Sequence, residues 1–102
     1  MSLSDTLPTL QTDNLITGYR LLSEHKAELT LPGGRAIIVH HLDGDKVWAG
    51  TIRAVVRDAP RPDFLTYDRF EQVEDSALLQ AGRMDVRLVT FGRFTTLLAK
   101  MG

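Results

Sequence analysis

The sequence predicts an α+β fold: one small domain in which two helices lie on one face of a mainly antiparallel five-stranded sheet. Two hairpin signatures and one strict alternation carry that expectation. In the first hairpin, Ala36-Ile37-Ile38-Val39-His40-His41-Leu42 runs to Asp43-Gly44 and returns through Asp45-Lys46-Val47-Trp48-Ala49. In the second, Asp85-Val86-Arg87-Leu88-Val89-Thr90-Phe91 runs to Gly92-Arg93 and returns through Phe94-Thr95-Thr96-Leu97-Leu98-Ala99-Lys100. Asp-Gly suits a type I′ turn, which needs positive φ at both central residues, and Gly-X suits type II′. Ahead of both, Ala27-Glu28-Leu29-Thr30-Leu31 alternates apolar and polar with the period of a half-buried strand. A strongly curled version of this sheet would be an SH3-like or other small barrel.

Taken in order, residues 1–11 are polar with Pro8 inside and are expected to form a flexible arm, leaving 12–102 as the domain. From Asn14 to Glu24, Leu15, Ile16, Tyr19 and Leu22 recur at helical spacing, with Thr12 or Asp13 as N-cap. Gly18 costs that helix about 1 kcal/mol relative to Ala, and the rival reading makes Tyr19 to Leu22 a strand. Pro32-Gly33 suits the centre of a type II turn, Pro fixing φ and Gly accepting positive φ. The return strand from Lys46 to Val56 is long enough to bend near Gly50, so Ala27 to Val56 reads as a three-stranded meander.

Asp58-Ala59-Pro60-Arg61-Pro62-Asp63 is a loop, because its prolines forbid a helix or a central strand. Asp68 and Glu71 have the spacing of a capping box for a helix over 69–81, with Gly82 as its C′ residue. Tyr67, Phe70, Val73, Ala77, Leu78 and Ala81 form its stripe, whereas Glu74 inside the stripe and Leu79 outside it count against the helix. In the closing hairpin, counting outward pairs Phe91 with Phe94, Thr90 with Thr95, Leu88 with Leu97, and Asp85 with Lys100, combinations that favour a sheet. The alternative for Phe94 to Lys100 is a short terminal helix.

Size and composition exclude more functions than they suggest. At 102 residues, the chain fits one core rather than two. Its 43% apolar and 25% charged content argues against global disorder. A formal charge of −1 offers no bulk attraction to nucleic acid or an anionic membrane. The absence of cysteine removes disulfides, thiolate metal sites and Cys nucleophiles. No run approaches the roughly 20 apolar residues of a membrane helix. Residues 1–16 hold neither Lys nor Arg, so no secretory signal is expected and the cytoplasm is the expected compartment by elimination.

Few residues point to chemistry. His40 and His41 are adjacent, so on a strand they face opposite ways and cannot share a metal, although Asp43 and Asp45 lie within reach of them. His25 stands alone. Pro32-Gly33-Gly34-Arg35 is too short for a phosphate loop, and neither Gly-x-Ser-x-Gly nor His-Glu-x-x-His occurs. No catalytic residue, metal or cofactor is therefore expected. Trp48, the single tryptophan, suits either a core anchor or a flat peptide- or base-binding face. Arg53, Arg57 and Arg61, with Arg35 across from the first, form the only basic concentration, and Asp58, Asp63 and Asp68 offset it. Asp63, Asp68, Glu71, Glu74 and Asp75 accompany Phe64, Tyr67 and Phe70, so the expected helix presents an acidic outer face.

The run Leu42 to Ile52 resembles the strand–turn–strand of Tudor and other SH3-like modules; the aromatic cage of those modules does not accompany it. The leading expectation is a small cytoplasmic non-enzymatic module for protein–protein interaction or homo-oligomerisation, in an accessory or regulatory role. Trp48, Asp68, Glu71 and Asp75 would meet the partner, or a sheet edge near the C-terminal hairpin would form a homodimer. The alternative is a nucleic-acid-binding small β-barrel using Arg53, Arg57, Arg61 and Trp48. A third reading is a small enzyme with His40 or His41 as base. No membrane partner is expected.

Overall fold

The computed structural model describes residues 3–44 and 46–101. It shows a single small α+β domain whose open five-stranded sheet has the order β1-β2-β3-β4-β5. The strands are β1 (Gly18–Leu21), β2 (Lys26–Thr30), β3 (Ala36–His41), β4 (Phe64–Tyr67) and β5 (Arg87–Thr90). β1, β2 and β3 pair antiparallel, whereas β3, β4 and β5 pair parallel. The sheet is therefore mixed, not mainly antiparallel, and it does not close into a barrel. The described residues hold four α-helices rather than two: α1 (Leu3–Thr12), α2 (Ala49–Arg57), α3 (Asp75–Arg83) and α4 (Phe91–Met101).

They cover both faces. α1 and α4 bury Leu3, Leu7, Leu10, Phe94 and Leu98 against Ala27, Leu29, Ile37, Val39 and Phe64. α2 and α3 bury Ile52, Val56, Ala77 and Ala81 against Leu65 and Tyr67 on the other side. β4 sits between these layers with all four residues buried, and a short apolar run of this kind is what a central parallel strand requires.

Both hairpins fail at their second arm, for one reason. Ile52, Val55 and Val56 fall on one side of a helical turn, and burying them against the sheet outweighs their β-branched preference. Phe91, Phe94, Leu98 and Met101 do the same at a spacing of three, four and three residues. Thr90 starts α4, its Oγ1 accepting the Arg93 N–H (3.2 Å) in the manner of an N-cap. The terminal-helix alternative is the one observed, and the expected sheet edge at a C-terminal hairpin does not exist.

The expected arm is helix α1, apart from residues 1 and 2, which lie outside the described residues. Asn14, at φ 61°, turns the chain out of α1, so the helix expected over Asn14 to Glu24 gives way to β1, the rival reading. β2 falls where the alternation placed it. Its turn keeps Pro32-Gly33 at the centre, Gly34 N–H donating to Leu31 O (2.8 Å), but it is not type II, because the left-handed residue is Gly34 (φ 91°) rather than Gly33. The helix expected over 69–81 splits into a 3-10 turn at Phe70–Gln72 and α3 proper, separated by a parallel bridge between Val47 and Val73.

Candidate protein-binding rim at the strand C-termini

Parallel connections bring α2, α3 and α4 back to the same end of the sheet, so their N-termini gather beyond the C-terminal ends of β3, β4 and β5. In open α/β sheets this is where ligand-contacting loops collect. Residues 42–44 and 46–48 after β3 and residues 68–74 after β4 form the rim here. Gln72 clamps them together from a buried position. Its Oε1 accepts the N–H groups of Asp68 (3.1 Å) and Arg69 (2.7 Å), and its Nε2 donates to Gly44 O (2.5 Å). Backbone bonds continue the seam: Val47 N–H donates to Gln72 O (2.7 Å) and Glu74 N–H to Val47 O (2.9 Å). Ala49 N–H then donates to Ser76 Oγ (3.2 Å), joining the first turns of α2 and α3.

Trp48 leads into α2, with its N–H donating to Thr51 Oγ1 (3.4 Å). The indole lies back across Gly50: a Cβ there would stand 2.5 Å from Cη2 and 2.6 Å from Cζ2 of the ring. Glycine is thus what lets the ring lie flat, and the side chain remains 52% exposed. Phe70, in the 3-10 turn of the neighbouring loop, is 70% exposed. Asp68, Glu71 and Asp75 belong to the same loop and to the start of α3, and all three are exposed. The structure therefore brings Trp48, Asp68, Glu71 and Asp75 to one end of the molecule. Sequence reasoning missed Gln72, whose only signal was a polar residue between Phe70 and Val73, and counted Glu74 in the acidic face without naming it as a partner contact.

The basic candidates are placed differently. Arg53 lies along α2, its Nη1 donating to Gln80 Oε1 (3.3 Å) on α3. Arg57 ends α2, about 13 Å from Trp48 along the axis at 1.5 Å per residue. Arg61 donates from Nη2 to Met84 O. Arg35 sits in the turn before β3 and lines a hollow with Asp63 and Arg87, away from Arg53. Arg35 and Arg61 lie at the opposite end of the sheet from Trp48, and Arg57 at the opposite end of α2. Asp63 is also at the far end, its Oδ2 accepting the Ile38 N–H (2.8 Å).

The two histidines face opposite sides of the sheet. His41, 1% exposed, has Nδ1 2.8 Å from Thr66 Oγ1 and Nε2 3.4 Å from Asp68 Oδ1. The carboxylate favours the Nε2–H tautomer, so Nδ1 accepts the Thr66 hydroxyl proton. Burial lowers the His41 pKa, and the Asp68 charge opposes that shift. The neutral ring is a strut under the rim rather than a group open to a substrate. His40 is half-buried on the α2 side, its pKa pushed down to about 4 by burial, with Lys26 and His25 adding repulsion. Buried Lys26 donates from Nζ to Asp58 O (2.6 Å), Pro60 O (3.1 Å) and Asp58 Oδ2 (3.2 Å), fastening the end of α2 to the sheet. Asp45 lies outside the described residues, and among those described no three His, Asp or Glu side chains gather as metal ligands. Nor is any described helix long and apolar enough to cross a membrane.

No family model, curated protein or solved structure matches this chain.

Proposed function

We propose that this chain is a non-enzymatic protein-binding module whose partner docks on the rim, presenting an Arg- or Lys-bearing segment with an adjacent apolar side chain. The observation that carries this reading is Trp48, backed by Gly50 on one side and more than half exposed on the strand-C-terminal end. A pre-placed indole gives large contact area at little entropic cost, and cations are attracted to its face. Phe70 adds a second exposed anchor. Asp68, Glu71, Glu74 and Asp75 supply negative charge around them, against Arg69 alone as a cation in that stretch. Long-range attraction between such a rim and a basic segment speeds encounter and is weakened by salt.

The test uses Trp48 as its own reporter, since no other tryptophan is present. A library of peptides that pair Lys or Arg with an apolar residue is titrated while Trp48 emission is followed. Peptides that shift the emission should bind at least tenfold more weakly after Glu71→Lys or Asp75→Lys, and should lose affinity with salt. Unchanged affinity in both charge reversals and in Phe70→Ala would refute the proposal.

A further inference from the structure

The sheet order leaves β1 at one edge and β5 at the other. β5 carries exposed Arg87 beside half-buried Leu88, Val89 and Thr90, so it shows no exposed apolar side chain. β1 is different, with Tyr19 37% and Leu21 44% exposed. Its four residues, Gly-Tyr-Arg-Leu, include none of the proline or lysine that commonly guards an edge.

The phase of the ladder fixes which backbone groups β1 offers. Leu22 N–H donates to Lys26 O (2.8 Å), so by antiparallel alternation Arg20 also turns its backbone groups toward β2. Tyr19 and Leu21 turn theirs away from the sheet. Their side chains share a face with their register partners Leu29 and Ala27, so the exposed pair extends the apolar row under α1. Arg20 projects from the other face, its guanidinium 3.5 Å from the Glu28 carboxylate.

We infer that β1 pairs antiparallel with β1 of a second copy about a two-fold axis at Tyr19, joining two sheets into one. Charge selects this register. An axis at Arg20 would set two guanidiniums directly opposite each other, which is unfavourable across an antiparallel pair. An axis at Tyr19 sets Tyr19 against the partner's Tyr19 and Arg20 across from the partner's Gly18, where no side chain competes. The outward N–H of each Tyr19 donates to the outward C=O of the other copy's Tyr19, and Leu21 extends the apolar stripe on either side. Because each Arg20 already has Glu28 beside it, no net charge accumulates at the seam. A two-fold contact of this kind is self-complementary and closed, so it yields dimers rather than fibres. A second copy is the occupant that matches both the apolar pair and the charge pattern.

Sedimentation equilibrium between about 1 µM and about 1 mM, the range in which a small interface associates, tests the inference directly. The average mass should rise from 11.4 kDa toward twice that value. Over the same range, hydrogen exchange at the Tyr19 amide should slow at least tenfold, while that at Arg20 stays constant. Tyr19→Pro removes an outward N–H that the monomer's own ladder does not use, and Leu21→Lys places a charge on the seam. Both variants should remain monomeric throughout, with Leu21→Lys deciding the matter alone if the proline variant misfolds. Trp48→Ala, on the rim, should dimerise like the native chain. A native chain that stays at 11.4 kDa, a dimer that survives Leu21→Lys, or a dimer with an unprotected Tyr19 amide would each overturn the inference.

Discussion

Gln72→Ala would cut three bonds that hold the two rim loops together, and the structure sets the size of the effect. Oε1 accepts from Asp68 N–H and Arg69 N–H, and Nε2 donates to Gly44 O, all from a side chain only 7% exposed. A net hydrogen bond contributes about 1 kcal/mol, and the backbone groups left behind lie near enough to the surface to recover some water. The expected loss is therefore about 2 kcal/mol. In a domain of this length that lowers Tm by roughly 8–16 °C, because 1 kcal/mol corresponds to about 4–8 °C. Gln72→Glu separates the parts of the clamp. It keeps an acceptor for Asp68 and Arg69 but turns a carboxylate toward Gly44 O, so it should cost about as much as Ala despite being isosteric. Urea unfolding by circular dichroism measures both, with Trp48 emission reporting on the rim. A loss below about 0.5 kcal/mol in both variants would mean that the loops are held by their backbone seam alone.

Three further results are expected. Gly50→Ala removes a helix-weakening glycine but drives a methyl into the Trp48 ring. Stability should therefore hold or rise by up to about 1 kcal/mol, while Trp48 emission shifts and rim binding weakens. Phe94→Ala should cost about 3–5 kcal/mol by denaturant unfolding, since Phe94 is fully buried with its ring 5.1 Å from that of Phe64. His40 has its pKa lowered from 6.5 in the unfolded chain to about 4, so folding favours the neutral ring. Its contribution is complete above pH 6.5 and is lost as pH falls toward 4, by about 1–2 kcal/mol once solvent screening of a half-buried ring is allowed for; His41 shifts in the same direction. His40→Asn should flatten the stability profile across that window, and an unaltered slope would remove His40 as its cause.

The stretch from Ala27 to His41 was legible because its signals are local. The Ala27–Leu31 alternation and Pro32-Gly33-Gly34 specify a strand and a reversal without help from distant residues. Period two failed where a segment holds several β-branched residues that suit either pattern. Thr51-Ile52-Arg53-Ala54-Val55-Val56 reads as alternating only if Val55 and Val56 are forced apart; a helix buries Ile52 and Val56 together. Phe94 to Lys100 misled because cross-strand pairing looked chemically sensible, yet Phe91, Phe94, Leu98 and Met101 match a helix equally well. That choice is made by tertiary burial against Phe64 and Val39, which no local window contains. β4 was invisible for a related reason. A buried parallel strand has no polar face to alternate with, so Phe64-Leu65-Thr66 gave no expectation of its own and Tyr67 was placed on the stripe of the expected helix. Trp48, Asp68, Glu71 and Asp75 lie toward one end of the molecule, whereas Gln72 acquires meaning only once Gly44 is beside it.

Acidic residues at helix N-termini have an ordinary explanation that must be weighed against the binding role. The N-terminal end of a helix carries partial positive charge, so Asp75 in the first turn of α3 stabilises it by about 0.3–1 kcal/mol at low salt. Glu71 lies in a three-residue 3-10 turn with little dipole to oppose, so the same account assigns it almost no stabilising role. The two therefore separate the explanations. Asp75→Asn should lower stability by about 0.5 kcal/mol at low ionic strength and by less as salt screens the dipole, whereas Glu71→Gln should leave stability within about 0.3 kcal/mol. Affinity for a basic peptide should fall in both variants by similar factors. If Glu71→Gln binds as tightly as the native chain, the acidic collar is helix chemistry alone, and Trp48 with Phe70 would have to carry recognition unaided.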